Sequence, residues 1–186
     1  MRYLRSVGTT IAAISLLLSH SADAQVAEGC YSLPLSLAVE AATEAVRSCE
    51  ADGCAVSASL VDTSGVVKVQ LKGDYSTVRT QDTSFRKAYT LVTFGPIFNL
   101  DTTSQIAELA ENPPGAGPAL TSIPNVLALA GGAAIKRNNE IVAALGVVGS
   151  PGGAKDEACA EAWVAKIQDR VEAAAAPTRR SADVKK

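Results

Sequence analysis

Apolar residues alternate with polar ones in some stretches of this chain and recur every three to four residues in others. Val56, Ala58 and Leu60 alternate with Ser57 and Ser59; after Asp62-Thr63-Ser64-Gly65, Val67, Val69 and Leu71 alternate with Lys68, Gln70 and Lys72. This predicts a hairpin with one face in the core. In Ile141 to Val148 both faces are apolar, Ile141, Ala143, Leu145 and Val147 on one and Val142, Ala144 and Val148 on the other, which predicts a central strand. Val126 to Ala130 and Ala133 to Lys136 are short strands around Gly131-Gly132, with Asn138-Asn139 turning the chain into the central strand. The helical rhythm runs from Pro34 to about Ala51, where Ala38, Ala41, Ala42, Ala45, Val46 and Cys49 form the inner stripe and Asp52-Gly53 ends it. It returns from Ser76 to Phe94 with Phe85, Ala88, Tyr89 and Val92 inward, stopped by Gly95-Pro96, and again from Thr102 or Thr103 to Glu111. The last helix runs from about Lys155 to Ala174, with Cys159, Trp163, Ile167 and Val171 four apart. Asn112 to Pro118, with three prolines and two glycines, is read as an irregular loop of the kind that often borders a site. The order of helix, two strands, helices, three strands and helix gives an α+β class, an antiparallel sheet with helices on its faces.

The beginning of the chain changes this picture. Arg2 and Arg5, an apolar run from Ile11 to Leu18 and then Ala22-Asp23-Ala24 follow the order of a secretory signal, so residues 1–24 are expected to be removed before Gln25. The domain then occupies 25–174. Gln25 to Ser32 reads as a tail before the first helix, and 175–186 as a disordered one. Two of the 17 basic and one of the 19 acidic residues leave with the signal, so the mature net charge is near −3. Nucleic acid is therefore not expected as a partner, and no later segment is apolar for long enough to act as a membrane anchor. A periplasmic or secreted location follows.

The only histidine, His20, and the only methionine, Met1, both lie in the predicted signal. A mature chain without them has no His-ligated zinc centre, no Ser-His-Asp triad and neither of the commonest heme ligands. All four cysteines, Cys30, Cys49, Cys54 and Cys159, lie beyond the signal and lack a C-x-x-C pair, which favours disulfides over metal in an exported protein; three pairings are open.

Candidate chemistry gathers in two places. On the middle helix, Arg86, Lys87, Tyr89 and Thr90 are spaced to clamp a carboxylate or propionate beside a half-buried phenol. In Gly149-Ser150-Pro151-Gly152-Gly153 a tight turn enters the last helix and aims backbone N–H groups at a possible anion, while Asp156 and Glu157 sit where carboxylates stabilise that helix's first turn. Asp62 most simply fixes its own turn.

Four ordered motifs carry a family resemblance. The run ALGVVGSPGGAKDEACA resembles the C-terminal signature of the GlcG/HbpS family of small heme-associated proteins, and Val61 to Gly65 its first hairpin. Phe85 to Thr90 is similar to its middle helix, and Gly131 to Ile135 to its GG-x-P-I segment, with Ala134 where proline is common. The resemblance spans about residues 35 to 172. It implies a profilin-like fold with a five-stranded sheet, heme as ligand and a ring-like homo-oligomer. Heme iron would then take Tyr89, Tyr75, Tyr31, a free cysteine, a threonine or water, or heme would bind without any protein ligand to iron. The alternatives are an enzyme or accessory subunit acting on a small carboxylate metabolite, and a ligand-free scaffold. In the implied fold the first and last helices pack side by side, so a Cys49–Cys159 bond is expected, with Cys30–Cys54 the remaining pair.

Overall fold

The computed structural model describes residues 31–111 and 116–174. The predicted signal, Cys30 and its expected bond, Asn112 to Gly115 and the C-terminal tail lie outside the described residues. Tyr31 and Leu33, at the edge of the expected N-terminal tail, are buried in the core.

Helix α1, Leu35–Ala51, follows Pro34 and buries Leu37, Ala38, Ala41, Ala42, Ala45, Val46 and Cys49, the stripe its sequence predicts. Its end is a Schellman turn: Cys54 N–H donates to the Cys49 carbonyl (2.9 Å) and Gly53 N–H to Glu50 (2.9 Å). Gly53 supplies the left-handed φ of 77° that the turn requires. Strands β1, Ser57–Asp62, and β2, Val67–Lys72, form the expected hairpin. Strands β3, Gly132–Arg137, and β4, Glu140–Val148, form a second one, turned by Asn138 and Asn139, both at positive φ. The two hairpins join through β1 and β4, and every pairing is antiparallel in the order β2-β1-β4-β3.

Four strands, not five, make this sheet among the described residues. Val126 to Ala130 is not a strand because α2, Thr80–Phe98, satisfies its backbone instead. Arg86 Nη2 donates to the Val126 carbonyl (2.8 Å) and Leu127 N–H donates to Thr90 Oγ1 (2.7 Å). Helix α2 also runs past its expected stop: Pro96 lies in its last turn, where little ladder remains to be broken, and Asn99 at φ 53° caps it. Helix α3, Thr103–Glu111, matches its prediction, whereas part of the supposed loop is a short helix, α4, Ala116–Thr121. Pro118 falls in its first turn, where a missing N–H is no loss.

The helices lie on both faces. Helices α1 and α5, the latter Gly153–Ala173, cover one, packing Ala38, Ala41, Ala45, Ala160, Ile167 and Val171 against Val56, Ala58, Leu60, Leu145 and Val147. Arg170 on α5 grips Glu40 on α1 with both terminal nitrogens, at 2.8 and 2.5 Å. On the other face Ala88, Leu91 and Val92 of α2 pack on Val61, Ala134 and Ala144, with Ile106 of α3 behind them. Gly146 permits the close approach, since a Cβ there would lie 2.2 Å from the Ser84 carbonyl. A bulge corrects the phase assigned to β4. Ile135 pairs with Ala143 but Lys136 with Ile141, so Val142 is an extra residue. Ile141 therefore joins the α2 side and Val142 the α1/α5 side.

The β1 hairpin was also expected to have one wet face, yet Ser57 and Ser59 are fully buried. Ser57 Oγ lies 2.7 Å from Thr80 Oγ1, and Ser59 Oγ lies 2.7 Å from Ser84 Oγ and accepts from Gln70 Nε2 at 2.9 Å. A ladder of hydroxyls replaces apolar contacts under the first half of α2, and each buried oxygen is satisfied.

Candidate functional site

The densest buried chemistry lies where the end of β4, the start of α5, the start of α3 and the middle of α2 meet. Lys87 crosses the interface from α2, with its side chain 1 % exposed, and Nζ donates to the Val147 carbonyl (3.1 Å) and to Asp156 Oδ2 (3.2 Å). Burial pushes its ammonium below the usual lysine value, with Asp156 and then Glu157 pulling the other way. Asp156 Oδ1 accepts Ser150 N–H at 2.9 Å. Gly131, at φ 133°, passes so close that a Cβ would meet Lys87 Nζ and the Val147 carbonyl.

Glu157 completes the cluster. Its Oε2 accepts from Gly131 N–H (2.9 Å), Ser104 N–H (3.0 Å) and Thr103 Oγ1 (3.1 Å), while Thr103 Oγ1 in turn accepts Gly132 N–H at 2.8 Å. Asp156 and Glu157 therefore do not cap α5 through their side chains: one pairs with Lys87, and the other satisfies orphan donors at the start of α3. Burial raises the Glu157 carboxyl, but the hydrogen bonds from Ser104, Gly131 and Thr103 outweigh it and hold the carboxyl below its ordinary value. A depressed carboxylate contributes stability above its unfolded pKa of about 4.5 and loses it as pH falls through its folded value. In Tm measured from about pH 7 down to about pH 3, Glu157→Gln is expected to flatten the acid limb relative to wild type. An unchanged limb would assign acid unfolding to other carboxylates.

The structure separates the four predicted clamp residues. Lys87 and Thr90 point inward, Lys87 to Asp156 and Thr90 to the 126–127 backbone. Arg86 and Tyr89 remain half-buried on the outward side, with the Phe85 ring 5.6 Å from that of Tyr89. The β1–β2 turn leans on this side: a Cβ at Gly65 would lie 2.9 Å from Tyr89 Cε2. Asp62 fixes that turn as expected, accepting Ser64 and Val66 N–H at 2.9 and 3.1 Å. In the glycine loop, Gly149 is pressed on the Ala55 carbonyl, Gly153 on the Ala130 carbonyl, and Gly152 faces open space. One of the loop's donors, Ser150 N–H, is already taken by Asp156.

Of the tyrosines considered for iron, Tyr75 is 96 % exposed, and Tyr31 is buried with Arg137 stacked 4.5 Å over its ring. Burial raises the Tyr31 phenol above its ordinary pKa, against the pull of Arg137. The ionised form that binds iron is therefore disfavoured at Tyr31. The Cys49–Cys159 bond is present, with Cα atoms 6.0 Å apart, and Cys54 is buried and unbonded among the described residues. Among the described residues no helix is long and apolar enough to cross a membrane, and no cluster of three or more His, Cys, Asp or Glu has the geometry of a metal site.

The fold has parallels among solved structures. HbpS is similar over 73% of this chain and 90% of its own, with 36% identity and a TM-score of 0.65. A double mutant of Streptomyces reticuli HbpS is 33% identical over 87% of this chain and 99% of that one, at a TM-score of 0.67. PduOC, solved as a heme complex, shares the fold at 18% identity, covering 72% of this chain and 94% of its own with a TM-score of 0.64. No curated protein matches. The sequence profile described as haem degrading protein HbpS-like covers residues 33–165, and on that span the chain belongs to the HbpS-like family.

Proposed function

We propose that the chain is an exported heme-binding protein that works as a homo-oligomer. Family membership over residues 33–165 is the observation that carries this reading, and the heme complex of PduOC shows that the shared fold accommodates a tetrapyrrole elsewhere. The leader-like first 24 residues and the Cys49–Cys159 bond support export.

The outward side of α2 suits such a ligand. Phe85 and Tyr89 offer tilted aromatic surface, Val66 on the adjoining turn is 58 % exposed, and Arg86 spends one terminal nitrogen on Val126, leaving others for a propionate. Tyr89 is the phenol on this side and the residue proposed to face iron. Lys87 and Thr90 are assigned to holding α2 and the 126–127 segment in place. The Gly149 to Gly153 loop is the second anion site to test, through Gly149, Gly152 and Gly153.

Hemin titrated into the mature protein is expected to give a Soret band and to quench Trp163. Arg86→Ala is expected to weaken binding by about 1–3 kcal/mol, the worth of a charge-assisted hydrogen bond, with Tm recorded alongside to detect loosening at Val126. An unchanged hemin spectrum at micromolar protein, without quenching, would overturn the reading. Undiminished affinity in Arg86→Ala would move the clamp to the glycine loop. If hemin is inert while a small carboxylate raises Tm, the metabolite reading takes its place.

A further inference from the structure

Three cysteines line one cavity on the side of the molecule away from α2. The cavity, about 580 Å³ and open to solvent, is lined by Cys49, Cys159 and Cys54 together with Ser150, Lys155 and Asp52. Cys49 lies in the last turn of α1 and Cys159 in the second turn of α5, and they are bonded to each other. Cys54 is brought to Cys49 by the Schellman turn itself, its N–H donating to the Cys49 carbonyl at 2.9 Å. The turn that ends α1 thus folds the Cys54 backbone onto that of Cys49, and both residues line the cavity.

The surroundings distinguish the two sulfurs of that bond. Cys49 sits at the carbonyl end of α1, where the helix dipole disfavours a thiolate. Cys159 follows Lys155 by one helical turn, and both line the cavity, so an ammonium is within reach of a thiolate formed there. Ser150 Oγ lies 3.9 Å from Cys49 Sγ. Asp52 is the one carboxylate on the lining, and its backbone carbonyl accepts the Cys54 thiol at 3.8 Å. Exchange should therefore run with Cys49 as the sulfur attacked and Cys159 as the leaving group.

We propose that this cavity is a thiol–disulfide exchange site for low-molecular-weight disulfides, in which Cys54 displaces Cys159 from Cys49 and the Cys159 thiolate attacks the incoming disulfide. In the first step the Cys54 thiolate forms a bond to Cys49 Sγ, the Cys49–Cys159 bond breaks, and its electron pair leaves on Cys159, which can take up the proton Cys54 gave. No oxidant or reductant is consumed. In the second step the Cys159 thiolate bonds to one sulfur of the small disulfide and the other sulfur leaves as a thiolate. The protein ends with Cys49–Cys54 joined and Cys159 as a mixed disulfide, and α1 is no longer tied to α5.

The test uses glutathione disulfide as probe, on the mature chain and on its Cys30→Ser variant, with acid quenching and peptide mapping without reduction. The Cys30→Ser variant is expected to gain one glutathione, on Cys159, together with a Cys49–Cys54 peptide, and the mature chain is expected to give the same two products with a second glutathione on Cys30. In Cys54→Ala the Cys159 adduct is expected to fall at least about tenfold, since no internal thiol remains to release it. Lys155→Gln, which keeps the fold and all three sulfurs, is expected to slow adduct formation severalfold. An adduct on Cys54 with Cys49–Cys159 intact would overturn the proposal. So would a lack of adduct in the Cys30→Ser variant, or a Cys30–Cys54 bond that persists in the unreduced mature chain.

Discussion

Asp156→Ala is expected to cost the fold about 3–5 kcal/mol, because it strands the Lys87 ammonium in the interior with only the Val147 carbonyl left to it. For a domain of this size that corresponds to a Tm lowered by about 10–15 °C. Removing both charges is expected to behave differently. Lys87→Met with Asp156→Leu deletes the desolvation cost together with the attraction, so the double variant should lie well above Asp156→Ala and close to wild type. Urea unfolding of these three proteins measures both differences. A loss below about 1 kcal/mol in Asp156→Ala would mean that solvent reaches Lys87 in the folded state. The pH dependence has a definite sign. Burial lowers the Lys87 pKa, so the folded state sheds that proton more readily than the unfolded one, and this group adds stability as pH rises from its folded value toward its unfolded value near 10.5.

Loss of the Cys49–Cys159 bond should have a comparable effect by another route. The two residues are 110 apart in sequence, and chain-entropy arguments put the stabilisation from closing a loop of that size at about 4–5 kcal/mol. Cys49→Ala with Cys159→Ala is therefore expected to unfold at markedly lower urea with a larger m-value, since the cross-link no longer compacts the unfolded chain. A midpoint unchanged within error would show that the contacts of α1 with α5, including Arg170 on Glu40, suffice alone.

What the sequence shows and what it hides divide along physical lines. Helices α1, α3 and α5 and both hairpins are legible, because an apolar stripe or an alternation is a local pattern and its burial follows from it. The Cys49–Cys159 bond follows from the family resemblance through the side-by-side packing of α1 and α5. The hidden features all involve polar residues whose partners are distant. Ser57 and Ser59 read as a solvent face until Thr80 and Ser84 are seen opposite them. Lys87 reads as an exposed clamp because its partner, Asp156, lies 69 residues away. Glu157 reads as a cap for its own helix although it caps α3, with no spacing rule to reveal it. Val126 to Ala130 has the look of a strand, but Arg86 and Thr90 claim its backbone first. The one usable signal was the density of Gly, Asp and Glu between 149 and 157. A polar residue placed at a helix entry beside glycines can be reaching across the core.

The β1–β4 pairing also sets the order in which the molecule can assemble. Each outer pair is a local hairpin, closed by a few residues and able to form within microseconds. The central pair joins Ser57 to Val148 and Leu60 to Leu145, so nearly half the chain must be threaded into a closed loop before its hydrogen bonds form. Until then α1 has no α5 to cover it and the hydroxyl ladder has no sheet to lie on. Of the three strand pairings, docking of the hairpins along β1 and β4 carries the largest loop-closure cost, the kind of non-local pairing that slows folding.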